Sequence, residues 1–219
     1  NKIRVTGGEP TLRARLPELV ERLSGIPGID DLAITTNALR MVQLAQPLRA
    51  AGLKRVNISL DALSDETFRR MARRDGLQRT LEGIAATLAA GFEQVRLNAL
   101  AIRGLNESEI VPLVEFARKH DVTIRFIEYM PLGGERNWQA QQVITGEQIR
   151  KIVEQAFGPL HPIDRPHPSQ PSSDFVFTDG RGGIGLINPV SEPFCGACNR
   201  LRLTASGAFR NCLFSHREW

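Results

Sequence analysis

The sequence predicts an α/β fold built on a parallel sheet, followed by a small antiparallel β extension. Up to residue 130, short β-branched runs alternate with stretches of helical period, a pattern that gives parallel strands joined by crossover helices. After Pro131 come a Gly-rich loop, one helical stretch, a linker from Pro159 to Pro171 holding five prolines, and three short runs of strand character. Proline fixes φ and removes a backbone donor, so the linker is not helical, and the short runs pair locally.

The parallel part has five strand candidates: Lys2–Thr6, Asp31–Thr36, Arg55–Leu60, Gln94–Leu100 and Thr123–Ile127. A sixth strand is expected before Asn1. Ser64, Asn106 and Thr145 stand where a side-chain oxygen caps the following helix, and Asn106 with Glu109 and Thr145 with Gln148 fit a capping box. Gly52 and Gly91 are placed to close helices. In the extension the helix spans Thr145–Phe157, and the strands are Phe175–Thr178, Gly183–Ile187 and Leu201–Thr204, with a turn at Ser206-Gly207.

The 219 residues are 42% apolar and 24% charged, enough for a sizeable core. No apolar run has the length of a membrane span, so a soluble cytoplasmic protein with no membrane partner is expected. The chain opens at Asn1 directly on a strand-like run and stops at Trp219 without a turn signal or polar tail. It is therefore read as an N-terminally truncated core, 1–130, and a C-terminally truncated extension, 131–219. The net charge of +4, 28 Lys and Arg against 24 Asp and Glu, favours an anionic ligand. With 6% aromatic residues and no long basic block, the chain lacks a stacking platform, so that anion is not nucleic acid.

All three cysteines fall in Cys195-x2-Cys198-x13-Cys212. With no sign of secretion, a disulfide is not expected, and a CxxC pair with a third thiolate is ligand spacing for zinc or for an iron–sulfur cluster. His216, four residues after Cys212, would complete a Cys3His zinc set, so spacing alone serves both metals equally.

A second motif, Thr6-Gly7-Gly8-Glu9-Pro10, follows the first strand. Two glycines and a proline make a tight turn whose backbone can approach a ligand. Such a turn is usually only a turn; here it sits at the C-terminal end of a parallel strand, the edge where ligands bind in α/β folds. Further strand ends carry Thr35-Thr36-Asn37, Ser59-Leu60-Asp61 and Glu128-Tyr129-Met130. Capping explains Asn37 and Asp61 on its own, and Met130 alone reads as core.

Arg4, Arg96 and Arg125 lie within strands, and Arg200 and Arg202 follow Cys198 on one face of a strand. A guanidinium in a buried strand needs a polar cavity or a partner, and together these five suit a polyphosphate. Arg103, Arg118 and Arg150 read as ordinary surface charges.

The runs Lys2–Pro10, Ile34–Asn37, Asn57–Asp61, Arg125–Pro131 and Cys195–Thr204 together resemble the GTP 3′,8-cyclase family of the radical S-adenosylmethionine (SAM) superfamily. The resemblance covers nearly the whole chain, and the C-terminal motif with its Asn-Arg-Leu-Arg is its most specific part. It implies an incomplete parallel (β/α)6 TIM-like barrel lacking its first strand and cluster loop. It also implies a lyase that turns GTP into (8S)-3′,8-cyclo-7,8-dihydroguanosine 5′-triphosphate in the first step of molybdenum cofactor biosynthesis. A 5′-deoxyadenosyl radical would take the ribose C3′ hydrogen, the C3′ radical would attack guanine C8, and the resulting aminyl radical would be reduced.

By resemblance Gly8, Ser59 and Met130 bind SAM, with Glu9 close by. Arg4, Thr35, Arg96, Arg200, Leu201 and Arg202 bind GTP. Cys195, Cys198 and Cys212 hold an auxiliary [4Fe–4S] cluster with one iron left open for the guanine base, and His216 then has no role. A second [4Fe–4S] cluster would come from a CxxxCxxC motif that these residues do not contain, so the fragment alone is expected to be inactive. No acid or base is assigned. The partners implied are GTP, SAM, an electron donor and, for the product, cyclic pyranopterin monophosphate synthase, and a homodimer is compatible. The family usually carries Lys where this chain has Arg96, which keeps the charge and changes the geometry.

Two other readings compete. A radical SAM peptide maturase with an auxiliary cluster would not need Arg200 and Arg202. A non-enzymatic zinc-binding protein accounts for the cysteines and the charge but not for the GGEP turn.

Overall fold

All five β-branched runs form strands. In chain order the elements are β1 (Lys2–Val5), α1 (Leu16–Ser24), β2 (Asp31–Thr36), α2 (Met41–Ala50), β3 (Arg55–Ser59), α3 (Asp65–Ala72), α4 (Leu77–Ala89), β4 (Gln94–Ala101), α5 (Ile110–Lys119), β5 (Thr123–Glu128), α6 (Gly146–Phe157), β6 (Leu160–Ile163), β7 (Ser172–Phe177), β8 (Gly183–Ile187), β9 (Arg202–Leu203) and β10 (Phe209–Arg210). The computed structural model describes residues 1–131 and 138–215. The Gly-rich loop expected after Pro131 falls mostly outside the described residues, and His216 lies wholly outside them.

Two compact units divide the chain, one of Asn1–Ala99 with Val122–Ile124, the other of Leu100–Asp121 with the residues from Arg125 onward. In the first unit β1, β2, β3 and β4 pair in that order, every pair parallel. One face of this sheet is apolar. Leu32, Ile34, Val56, Ile58 and Leu97 are buried there, with α1 packed on β2 and α2, and α2 on α4. Alternation along each strand sends the intervening residues to the opposite face.

Ser64 caps α3 as expected, its side chain accepting from Thr67 N–H. Gly52 and Gly91 follow α2 and α4 with φ of +97° and +71°, the left-handed conformation that ends a helix cheaply only at glycine. Asn106 departs from expectation and does not cap a helix. Its Oδ1 accepts from Ile102 N–H at 2.8 Å and its Nδ2 donates to the Leu100 carbonyl at 2.7 Å. The side chain thus closes the loop that leaves β4, whose last backbone groups need partners more than the helix does.

In the second unit β5, β8, β7 and β6 are neighbours in that order, with β6–β7 and β7–β8 antiparallel. The proline-rich linker is not helical, yet its start forms β6, with Pro162 inside the strand. Proline is tolerated there because, among the described residues, β6 has a partner strand on one side only. Helix α6 begins on the expected capping box between Thr145 and Gln148. Arg118 lies 4.1 Å from the Phe177 ring centroid and pairs with Asp179 at 2.6 Å, joining α5 to the end of β7. Among the described residues no helix is long and apolar enough to cross a membrane.

Candidate functional site

The polar face of the parallel sheet gathers residues from all four strands of the first unit. Thr35, Asn57 and Arg96 stand in one register row across β2, β3 and β4, and Ser59 pairs with Asn98 two residues further on. Arg4 pairs with Ala33, two residues before Thr35, and its Nη1 donates to Thr35 Oγ1 at 3.4 Å. Arg4, Thr35, Ser59 and Arg96 therefore share one face. Asn57 and Asn98 join this face through a polar residue at every second position, Asn57 with Ser59 and Arg96 with Asn98. Asn98 Oδ1 is buried with no hydrogen-bond donor among the described residues. Arg55, on the same face, is taken up by Asp31, its Nε donating at 2.6 Å.

At the C-terminal end of β1 the chain turns through Gly7, whose φ of +136° suits glycine. A Cβ placed on Gly8 would meet nothing within 4 Å, so the backbone there is open to a ligand. Glu9 is not open. Oε1 accepts from Thr11 N–H at 3.0 Å, Thr11 Oγ1 at 2.6 Å and Thr36 Oγ1 at 2.7 Å, and Oε2 accepts from Asn37 N–H at 2.8 Å. Its carboxylate ties the GGEP turn to the end of β2, which positions Gly8. Asn37 Oδ1 accepts from Leu39 N–H at 3.0 Å, a local turn bond.

In the second unit Cys195 and Cys198 lie on one 3-10 turn, closed by Cys198 N–H to the Cys195 carbonyl at 3.1 Å. All three cysteines are free and exposed. Arg200 aims its guanidinium back at Cys198 Sγ, with Nη2 at 3.3 Å and Nε at 3.4 Å, and stacks 5.0 Å from the Phe194 ring centroid. The Arg200 N–H and then its side chain hold the Cys198 thiol below its ordinary pKa. Arg202 faces Arg210 directly across the β9–β10 ladder, and Arg202 Nη1 is buried with no acceptor among the described residues. Like charges directly opposite destabilise a strand pair. Arg210 was not foreseen, because only strand pairing brings it opposite Arg202. Leu201 precedes β9 and is exposed.

Arg125 is buried, and its Nη2 pairs with Asp174 Oδ2 at 2.8 Å, a partner 49 residues away; its Nε is buried with no hydrogen-bond acceptor among the described residues. Arg103 and Arg150 pair with Glu107 and Glu154 and, like Arg118 with Asp179, are ion-pair partners of carboxylates. Met130, half-buried, follows β5 by two residues.

Three thiols are the donor chemistry that an iron–sulfur cluster takes, but among the described residues no three His, Cys, Asp or Glu side chains form a group able to hold a metal ion.

The family model for the radical SAM superfamily matches residues 1–117, and that for Molybdenum Cofactor Synthesis C matches residues 122–219. Curated relatives named GTP 3′,8-cyclase are 51% identical over 218 residues in Rhodopirellula baltica and 44% identical over 217 residues in Pelotomaculum thermopropionicum. The chain belongs to the GTP 3′,8-cyclase family of the radical SAM superfamily. Each alignment takes in 99% of the chain, which spans 61% and 67% of the two relatives' lengths. Solved structures share the fold at low identity. Streptococcus suis SuiB bound to precursor peptide SuiA aligns with a TM-score of 0.56 at 18% identity, over 71% of this chain and 35% of that one. A domain of pyruvate-formate lyase-activating enzyme from Bacteroides vulgatus aligns with a TM-score of 0.53 at 20% identity, over 70% and 90%. For the cyclase-family chain these likenesses carry the fold, α/β with a mostly parallel sheet.

Proposed function

We propose that the whole protein containing these residues is a GTP 3′,8-cyclase, a lyase that converts GTP to (8S)-3′,8-cyclo-7,8-dihydroguanosine 5′-triphosphate as the first step of molybdenum cofactor biosynthesis. The observation that carries the reading is Arg202, whose buried nitrogen has no acceptor among the described residues and whose strand partner is a second arginine, in a chain belonging to the cyclase family. A buried guanidinium nitrogen without an acceptor is costly, and a triphosphate oxygen supplies what it lacks.

Arg202 and Arg200 hold phosphate oxygens and Leu201 lends its backbone; Arg4, Thr35 and Arg96 supply a second set of donors to GTP. Fixing the ribose in this way is where the protein contributes most, since a reacting centre held in one orientation loses little entropy on reaction. Gly8 offers its open backbone to SAM, with Ser59 and Met130 as further contacts, and Glu9 keeps the turn that presents Gly8. Cys195, Cys198 and Cys212 hold the auxiliary [4Fe–4S] cluster, and a second one lies elsewhere in the whole protein. With SAM, the bound clusters supply one-electron chemistry that starts from removal of the ribose C3′ hydrogen. An external donor provides the electron, and cyclic pyranopterin monophosphate synthase takes the product. The parallel strands belong to an incomplete (β/α)6 barrel, with residues 1–130 as core and 131–219 as extension, in a cytoplasmic enzyme.

The test is titration of the anaerobically reconstituted whole protein with GTP. Arg202→Ala is expected to weaken GTP binding by about 10-fold or more while the iron content stays that of the parent. Unchanged affinity, or zinc in place of iron, would overturn the reading.

A further inference from the structure

Glu128 closes β5 two residues before Met130 and is fully buried, yet it has no part in the assignments above. Its carboxylate accepts four hydrogen bonds. Oε1 accepts from Gly146 N–H at 3.2 Å and from the Ser191 hydroxyl. Oε2 accepts from Val190 N–H at 3.0 Å and Ser191 N–H at 2.9 Å. The donors come from two segments. Gly146 is the first residue of α6, and Val190 and Ser191 belong to the turn in which Glu192 N–H donates to the Asn188 carbonyl at 3.0 Å.

That turn and α6 already touch. A Cβ on Gly146 would lie 2.3 Å from Asn188 Oδ1, and Asn188 Nδ2 donates to Glu192 Oε2 at 3.2 Å. Three residues after Glu192 the chain enters the Cys195 turn. The carboxylate thus fixes where the segment leading to the cysteines leaves the sheet. A buried carboxylate is a costly way to gain stability alone, since an apolar side chain fills the same volume without desolvating a polar group. Four donors converging on two oxygens define a position instead.

We infer that Glu128 is the positioning residue of the three-cysteine motif: through the 188–192 turn it holds Cys195 and Cys198 in place for the cluster. The inference rests on the cluster reading above. Glutamine cannot replace it, because an amide nitrogen at either oxygen's place meets a backbone N–H.

The experiment uses the whole protein, reconstituted anaerobically with iron and sulfide, and follows the release of iron to a chelator by absorbance. Glu128→Gln is expected to release iron from the auxiliary site about 10-fold faster than the parent. Thr145→Ala removes the cap at the same end of α6 without touching Glu128, and is expected to release iron at the parent rate. Release from Glu128→Gln at the parent rate overturns the inference, and so does equal acceleration in Thr145→Ala, which marks a general loss of stability. Should Glu128→Gln fail to fold, Ser191→Ala takes its place. It removes the hydroxyl bond and keeps the three backbone ones, and should speed release by about threefold; the parent rate there again overturns the inference. A parent that binds no iron overturns the cluster reading itself, a result distinct from either of these.

Discussion

Arg200 works on Cys198 through two routes, its backbone N–H and its guanidinium, and both stabilise the thiolate. In the metal-free protein Cys198 should therefore react with iodoacetamide at lower pH than an ordinary cysteine. Arg200→Ala removes the guanidinium and keeps the backbone N–H, so the midpoint of the alkylation profile should move up in pH, though not all the way to that of a free thiol. An unmoved midpoint in a mass-spectrometric pH series would contradict the assignment. Glu9 makes its bonds with both oxygens to four donors, so Glu9→Gln leaves at least one donor facing an amide nitrogen. A loss of about 2 kcal/mol in denaturant unfolding is expected, together with weaker SAM binding as the Gly8 backbone loosens. Of these contacts the sequence disclosed only the residue types. The Thr36 and Asn37 donors to Glu9 are 27 and 28 residues away, and Asp174, the partner of Arg125, is further from it still.

At the scale of elements, Gly83 in α4 shows packing outranking propensity. Alanine normally stabilises a helix interior over glycine, but a Cβ at Gly83 would lie 2.0 Å from the carbonyl oxygen of Ala38. Gly83→Ala is therefore expected to lower stability by about 2 kcal/mol, read as a fall in melting temperature; a rise would show that the contact between α4 and the Ala38 carbonyl yields readily. Signals contained within one turn were legible beforehand, as with the Thr145–Gln148 capping box and the glycines after α2 and α4. Asn106 and Glu109 have the same spacing as Thr145 and Gln148, yet the end of β4 claims Asn106, a competition that spacing does not express. Likewise five prolines in one linker argued only against a helix; that Pro162 sits in an edge strand depends on where β7 lies. The row of Thr35, Asn57 and Arg96 needs strand register, which hydrophobic alternation fixes by parity but not by partner.

For the molecule as a whole, the family follows from relatives that match the chain along 99% of its length, and the activity follows as a proposal about the longer protein. The balance of 28 basic against 24 acidic residues is modest. What favours a polyanionic substrate is placement: arginines on one sheet face in the first unit, and in the second Arg200 against Cys198, with Arg202 opposite Arg210 on β9 and β10. The claim that these arrangements serve one reaction is tested most directly with the reconstituted whole protein, SAM, a one-electron reductant and GTP deuterated at C3′. The account predicts a product isomeric with GTP once the label is allowed for, with deuterium recovered in 5′-deoxyadenosine, because one hydrogen leaves C3′ and an electron and a proton complete the cyclised base. Recovery of unchanged GTP from iron-loaded protein, or a product that keeps deuterium at C3′, would contradict it.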